Sequence, residues 1–199
     1  MALQPYKAVF REHLRSMVAE VGPPDSVLEA GCAEGKFLTE FPGAKYTGTG
    51  FSEQELESAR QRHPSARFYF ADLGKPRSLP SEQFALVICT HTISYVPKHL
   101  FEIAVENLVD AMSDNGYLIV QFTKDDASVL LPILEQRLVP LSHVRYRGTL
   151  LKLASRLGLR VGSSERSGWR RLVLGALDKL DVGRDHHLML LKHRPDSPG

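Results

Sequence analysis

Cysteine is scarce in this sequence: Cys32 and Cys89 are the two among 199 residues, and both lie inside apolar stretches. No disulfide framework is therefore expected, and a reducing, cytoplasmic compartment is predicted. Cys and His spacings typical of zinc sites are also missing, so no metal site is predicted. The chain is long enough to bury a core without such cross-links, and we expect one domain over residues 1–194 with a loose tail at 195–199.

Long apolar runs and an excess of one charge are also missing. No stretch approaches membrane-spanning length and no signal-peptide pattern opens the chain, so neither export nor membrane insertion is expected. Lys and Arg number 25 against 23 Asp and Glu, with the signs mixed along the chain. This balance excludes the basic stripe of a nucleic-acid-binding protein, and we interpret Arg166, Arg170 and Arg171 as a solvated helix face. No pattern indicates an oligomeric state.

Short apolar or β-branched segments alternate with segments of helical period. Strands are predicted at 26–30, 45–49, 66–70, 84–89, 117–122, 159–163 and 188–192. Helices are predicted at 5–21, 53–61, 100–112, 149–157 and 169–180. This alternation predicts an α/β domain with a doubly wound, mostly parallel sheet, helices on both faces and an antiparallel C-terminal strand. The leucine-rich segment 125–146 has two interpretations, a lid over the pocket or a helix packed on the core.

The residues that carry chemistry begin where the first strand ends. Glu29 is followed by a small-residue loop over 30–35, and residues 36–38 are expected to start a helix. Small residues let a ligand approach the backbone, and unpaired N–H groups at a helix start bind a polar or anionic group. In open α/β sheets this first crossover lies beside the ligand crevice.

The nicotinamide-dinucleotide fingerprint fits this loop poorly. That fingerprint needs glycines two and five positions after the first glycine and an acid about twenty positions on. Here Ala33 and Lys36 stand at the second and third glycine positions, and Gly50 stands near the position of the acid. A dinucleotide-dependent dehydrogenase is therefore the weaker interpretation.

The same loop, Glu29-Ala-Gly-Cys-Ala33-Glu-Gly35, resembles motif I of class I S-adenosylmethionine-dependent methyltransferases, acid-x-Gly-x-Gly-x-Gly, with Ala33 as its one departure. The resemblance continues through 46–60, Phe70-Ala-Asp72-Leu73, 84–90 and 114–120, in order and at family spacing. It implies that S-adenosylmethionine is the cofactor. Because no large substrate domain or basic surface is evident, a small organic acceptor is favoured over RNA, DNA or a folded protein.

The resemblance also implies roles for individual positions. The loop lies against the methionine part of the cofactor, Glu29 organises its amino end, Asp72 accepts from the adenine amino group, and Leu73 and Phe51 cover the ring. Each has a competing structural explanation, since Glu29 could pair with a lysine, Asp72 could cap a turn, and Phe51 could be core. The full set of candidate cofactor residues is Glu29, Gly31, Cys32, Ala33, Gly35, Gly50, Phe51, Ser52, Asp72, Leu73 and Thr90.

The sequence departs from the family at Gly50, where a ribose-binding acid is expected. Ser52 and Glu53 are the nearby candidates to replace it. Family-like positions 85 and 94–95 also differ. These departures support an alternative, a degenerate methyltransferase-fold protein that acts as a non-catalytic binding or scaffolding subunit.

Methyl transfer depends mainly on positioning, so a dedicated catalytic residue is optional. His91, just past the fourth strand, is the candidate general base, and its competing interpretation is a loop histidine bonded to backbone. His186 and His187 lie just before the last predicted strand, and because adjacent residues on a strand point to opposite faces, they are not expected to share a metal. Tyr6 is a candidate to close over the cofactor.

Overall fold

The computed structural model describes residues 5–147 and 185–194. The predicted elements at 149–157, 159–163 and 169–180, the arginines at 166–171 and the tail at 195–199 lie outside those residues. The side chain of Tyr6 is likewise not described, so its predicted contact with the cofactor stays a prediction.

The described elements alternate along the chain as the sequence pattern indicates. The helices are α1 (Pro5–Val21), α2 (Glu53–Arg62), α3 (Phe101–Asp110) and α4 (Lys124–Arg137). The strands are β1 (Ser26–Ala30), β2 (Lys45–Gly50), β3 (Arg67–Phe70), β4 (Phe84–Cys89), β5 (Met112–Thr123), β6 (Leu138–Arg147) and β7 (Asp185–His193).

These strands form one sheet in the order β3-β2-β1-β4-β5-β7-β6. The first five pair in parallel, whereas β7 is antiparallel to β5 and β6 is antiparallel to β7. The predicted α/β fold, mostly parallel with an antiparallel C-terminal strand, is therefore confirmed. Because β1 to β4 are parallel, the segments that follow them meet at one edge of the sheet.

The two faces of the sheet are buried under different helices. On one face Leu28 and Val87 pack with α3 and α4, and on the other Val27, Leu86 and Ile88 pack with α1 and α2. Successive residues of β1 and β4 are buried on both sides, which is why these strands read as continuous apolar runs. None of the described helices is both long and apolar enough to cross a membrane.

One expectation about local structure was wrong, and for a second segment the core-packing interpretation is the correct one of the two. Residues 36–38 start no α-helix, because Pro42 follows closely and the chain forms turns ending in a single 3-10 turn at Leu38–Glu40. Segment 125–146 is no lid and only partly a helix. Leu130 and Leu134 of α4 are fully buried in the core, and residues 138–147 form an edge strand paired with β7.

Candidate functional site

The loop after β1 is fastened to the end of β2 by its backbone. The N–H groups of Gly31 and Cys32 both donate to the carbonyl of Thr49 at 2.8 Å. Gly31 has φ +85°, and a Cβ placed there would lie 1.9 Å from Oγ1 of Thr92. Glycine at 31 is thus required both by the left-handed backbone and by the loop that follows β4.

The rest of the motif continues in left-handed turns. Gly35 has φ 71°, and Ala33, the departure from the family motif, has φ 48°. An L-residue with a side chain pays about 1 to 2 kcal/mol for this region, whereas glycine does not. The backbone at 33 therefore keeps the shape of a glycine position although the residue is alanine.

Glu29 is buried at the tip of β1, with 2% of its surface exposed. Its Oε2 accepts a short hydrogen bond from the hydroxyl of Tyr46, on the neighbouring strand β2. Burial raises the pKa of Glu29 to about 8, and the Tyr46 bond offsets only part of that rise. Among the described residues no cationic side chain pairs with Glu29.

Cys32 contributes backbone to the loop, and its thiol is buried. Burial and the nearby Glu29 raise the pKa of Cys32 to about 12, so the thiol stays protonated at neutral pH. Cys89, inside β4, is likewise fully buried with a pKa raised to about 12. Neither thiol is therefore present as a nucleophilic thiolate at neutral pH.

The end of β2 carries no carboxylate toward the site. A Cβ placed on Gly50 would touch only Leu56, at 3.4 Å or more, which is ordinary contact. Ser52 caps α2 by accepting from the N–H of Glu55 at 3.3 Å. Glu53 pairs with Arg60 at 2.6 Å. Both candidates for the missing acid are thus engaged by α2, and neither lines the cleft described below.

Asp72, after β3, has two partners of its own. Its Oδ1 accepts from the N–H of Gly74 at 3.0 Å, and its Oδ2 lies 3.8 Å from Nζ of Lys75. The turn-capping explanation of Asp72 is therefore correct, and the residue lines the cleft as well. Phe51 is 70% exposed and its ring lies 5.4 Å from that of Phe70, which excludes a core role.

A cleft of about 490 Å³ opens where the segments after β1, β2, β3 and β4 meet. Of the candidate cofactor residues it brings together Gly31, Gly50, Phe51, Asp72 and Leu73. Glu29, Cys32, Ala33, Gly35, Ser52 and Thr90 lie outside its lining, as does His91. Their direct contacts with a cofactor remain predictions.

The sequence analysis missed the second wall of this cleft. It comes from the end of β2, the turn after β3 and the loop after β4. Its residues are Thr49, Ala71, Gly74, Lys75, Thr92, Tyr95, Val96, Pro97 and Leu100. Most are apolar or small, and Tyr95 is 87% exposed at the rim. This wall could have been located from the order of the predicted strands, because a loop that follows a parallel strand lies at the same edge of the sheet as the motif loop.

A buried carboxylate anchors the loop after β4. Asp126 of α4, 6% exposed, accepts from the hydroxyls of Ser94 and Thr123, each at 2.6 Å. Lys98 lies 3.9 Å from the same carboxylate. The loop carrying Tyr95 is thus tied to the start of α4, which steadies the second wall of the cleft.

His91 and Thr90 begin this loop. His91 has φ 54°, its N–H donates to Oε1 of Gln121 at 2.7 Å, and its ring lies 5.0 Å from that of Phe10. Thr90 is 3% exposed, and its Oγ1 has no hydrogen-bond partner among the residues that the structure describes. The structure therefore places His91 beside the cleft-lining Thr92 without placing its ring in the cleft.

The two neighbouring histidines of β7 contact opposite faces of the sheet, as expected. His186 stacks on Tyr146, whereas His187 stacks on Phe122 and lies 3.0 Å from His143. No group of three or more His, Cys, Asp or Glu able to hold a metal ion occurs among the residues the structure describes.

The segment that forms this cleft is similar to known methyltransferases. A family model described as "Methyltransferase domain" matches residues 27–116. The trans-aconitate 2-methyltransferase of Variovorax paradoxus is 32% identical over 114 residues, which are 54% of this chain and 42% of that protein. The chain therefore spans less than half the length of the curated relative.

Solved structures share the fold over almost the whole chain. The N-methyltransferase NodS of Bradyrhizobium japonicum, solved with S-adenosylhomocysteine, has a TM-score of 0.66 at 18% identity and covers 97% of this chain and 89% of its own. The [4+2]-cyclase SpnF has a TM-score of 0.64 at 15% identity, covering 92% and 81%. The chain has the class I methyltransferase fold, and its residues 27–116 match the methyltransferase domain model.

Proposed function

We propose that this chain is an S-adenosylmethionine-dependent methyltransferase that acts on a small organic acceptor. The observation that carries the proposal is the cleft itself, formed by small residues of the motif loop on one side and by Asp72 and an apolar wall on the other. The motif loop and most of the cleft lie within the segment that matches the methyltransferase domain.

The residues present fit the cofactor at three points. Gly31 and Gly50 let an adenosyl group approach the backbone, and Leu73, Val96 and Leu100 provide an apolar surface for a flat ring. Asp72 supplies an acceptor for an exocyclic amino group. Glu29 is a buried acid without a cationic partner among the described residues, and an ammonium group nearby would offset the cost of its ionisation.

When bound, S-adenosylmethionine would supply a methyl group activated by a positive sulfur. The chain's own contribution is orientation and exclusion of water. The Gly31 loop and the loop after β4 close on each other through the Gly31–Thr92 contact, and Asp126 steadies the second loop through Ser94. His91 is the candidate to accept a proton from a hydroxyl or ammonium acceptor, because it begins the loop that carries Thr92.

We infer a small, polar organic acceptor. The curated relative is named for trans-aconitate, which is an organic acid. Trans-aconitate and related carboxylic acids are therefore the first acceptors to assay.

The two buried, protonated thiols, Cys32 and Cys89, are consistent with a cytoplasmic location, because neither has formed a disulfide.

A non-catalytic binding or scaffolding role is the second candidate, and Gly50 is the observation that favours it. A carboxylate that grips ribose hydroxyls makes charge-assisted bonds worth roughly 1.5 to 3 kcal/mol each, and the end of β2 offers none. One similar fold carries the name of a cyclase, so the fold alone does not specify methyl transfer.

Calorimetric titration with S-adenosylmethionine and S-adenosylhomocysteine separates these functions. Wild-type protein should bind both, and Gly50→Arg should abolish binding because a long cationic side chain would occupy the cleft. Gly50→Ala is the matched control and should retain affinity within a few-fold, because its Cβ meets only Leu56. Absence of wild-type binding at millimolar cofactor would overturn the enzyme proposal, and unchanged binding by Gly50→Arg would overturn the assignment of the cleft.

A further inference from the structure

Gln121, near the end of β5, is buried and bonded at both ends of its amide. It is 2% exposed. Its Oε1 accepts from the backbone N–H of His91 at 2.7 Å, and its Nε2 lies 3.0 Å from Nδ1 of His186. One side chain thus links the loop after β4 to the beginning of β7.

These two bonds determine where His186 carries its proton. A backbone N–H can only donate, so the oxygen of the Gln121 amide must face His91 and its NH₂ group must face His186. An amide NH₂ can only donate, so Nδ1 of His186 must be an unprotonated acceptor. His186 is therefore a neutral imidazole with its proton on Nε2.

Contacts between aromatic rings connect His186 back to His91. His186 stacks on Tyr146 at 5.4 Å, and Tyr146 lies 6.4 Å from Phe10 and 5.8 Å from His13. Phe10 in turn lies 5.0 Å from the ring of His91. Elements α1, β6, β7 and the loop after β4 therefore form a closed set of contacts around Gln121.

We propose that Gln121 is a positioning residue, which holds the left-handed conformation of His91 through its oxygen and fixes His186 as the neutral Nε2–H tautomer through its nitrogen. His91 has φ 54°, a conformation that a residue with a side chain adopts at a cost, so a bond to its N–H is needed to keep it. The importance of Gln121 for methyl transfer rests on the proposed function, whereas the proton position on His186 does not.

Two substitutions separate the two ends of the amide. Gln121→Glu keeps the size and an acceptor for the His91 N–H, but a carboxylate oxygen facing Nδ1 requires a proton there. Gln121→Leu removes both bonds. Gln61→Glu, at an exposed position of α2, controls for the added charge.

Long-range ¹H–¹⁵N spectra of the imidazoles at neutral pH provide the test. Wild-type His186 should show the Nε2–H tautomer, and Gln121→Glu should protonate its Nδ1, while His187, bonded to His143 on the opposite face, keeps its wild-type signals. The ¹³Cα shift of His91 should stay that of a left-handed residue in Gln121→Glu and move in Gln121→Leu.

An Nδ1–H tautomer of His186 in the wild type would overturn the proposal, and so would an unchanged ¹³Cα shift of His91 in Gln121→Leu. The wild-type spectrum alone decides the first point, so the proposal stays testable if a variant fails to fold. S-adenosylhomocysteine affinity in Gln121→Glu should stay within about threefold of wild type, because Gln121 does not line the cleft. Loss of the proposed function would appear separately, as wild-type protein that binds no S-adenosylhomocysteine.

Discussion

The tips of β1 and β2 are neighbours in the sheet, yet they differ in the polar groups that they carry. The tip of β1 carries a buried acid and continues into left-handed turns, and two N–H groups there donate to the carbonyl of Thr49. The tip of β2 ends in Gly50, with space where a side chain could stand. The comparison teaches that the loop's shape is held by the protein's own contacts, so it survives without the carboxylate expected beside it.

The largest expected effect concerns Glu29 and the pH dependence of stability. Its folded pKa, about 8, lies above the unfolded value of 4.5, so the folded state keeps a proton that the unfolded chain releases. The contribution of Glu29 to stability is therefore fully present below pH 4.5 and is lost as pH rises toward 8, at about 1.4 kcal/mol per pH unit.

Glu29→Gln keeps an acceptor for Tyr46 and removes this titration. Urea unfolding of both proteins across pH 5 to 9 measures this effect. The free energy of unfolding of the variant should rise relative to that of the wild type up to pH 8, and the difference should stay constant above pH 8. A constant difference across that range would show that Glu29 has an ordinary pKa, and the contrast between the two strand tips would disappear.

A smaller effect is expected from restoring an acid to the tip of β2. Gly50→Asp should tighten S-adenosylhomocysteine binding about tenfold, because one charge-assisted bond to a ribose hydroxyl is worth roughly 1.5 to 3 kcal/mol before ordering costs. Calorimetry on Gly50→Asp and the neutral isostere Gly50→Asn distinguishes charge from shape. Equal affinity of Gly50→Asp and wild type would mean that β2 does not end at the ribose.

The smallest effect is expected within the motif loop. Ala33→Gly should raise the free energy of unfolding by about 0.5 to 1 kcal/mol, because φ 48° is strained for alanine and free for glycine. Ala44→Gly, at a position without positive φ, should instead lower it, since it increases the conformational entropy of the unfolded chain and removes a Cβ packed against the core. Thermal or urea unfolding measures both, and destabilisation by Ala33→Gly would contradict the strain at 33.

Most of the parallel half of the fold could be predicted from sequence, because each element there carries its own pattern. Segments 26–30 and 84–89 are strands at the predicted bounds, since buried parallel strands read as short apolar runs. The strand β6 was missed, because its partner β7 lies about forty residues further along the chain and no local period reveals that pairing. The false helix at 36–38 came from extending the family pattern past a loop that Pro42 ends early.

The candidate site divides in the same way. Gly31, Asp72 and Leu73 could be found because they stand at motif positions that end predicted strands. The wall from Thr92 to Leu100 could not, because it depends on how a loop folds back after β4 and on the buried Asp126 that holds it. The tyrosine beside Glu29 was likewise hidden, since it is set by the β1–β2 register.

The contact between Gly31 and Thr92 means that these two positions cannot vary independently. A side chain at 31 collides with Thr92 before it reaches any ligand, so the energies of substitutions at the two sites will be non-additive. Glycine at this point of the motif is therefore required by the packing of two loops as well as by the space for a cofactor. A homologous chain that had lost its ligand would still need this glycine.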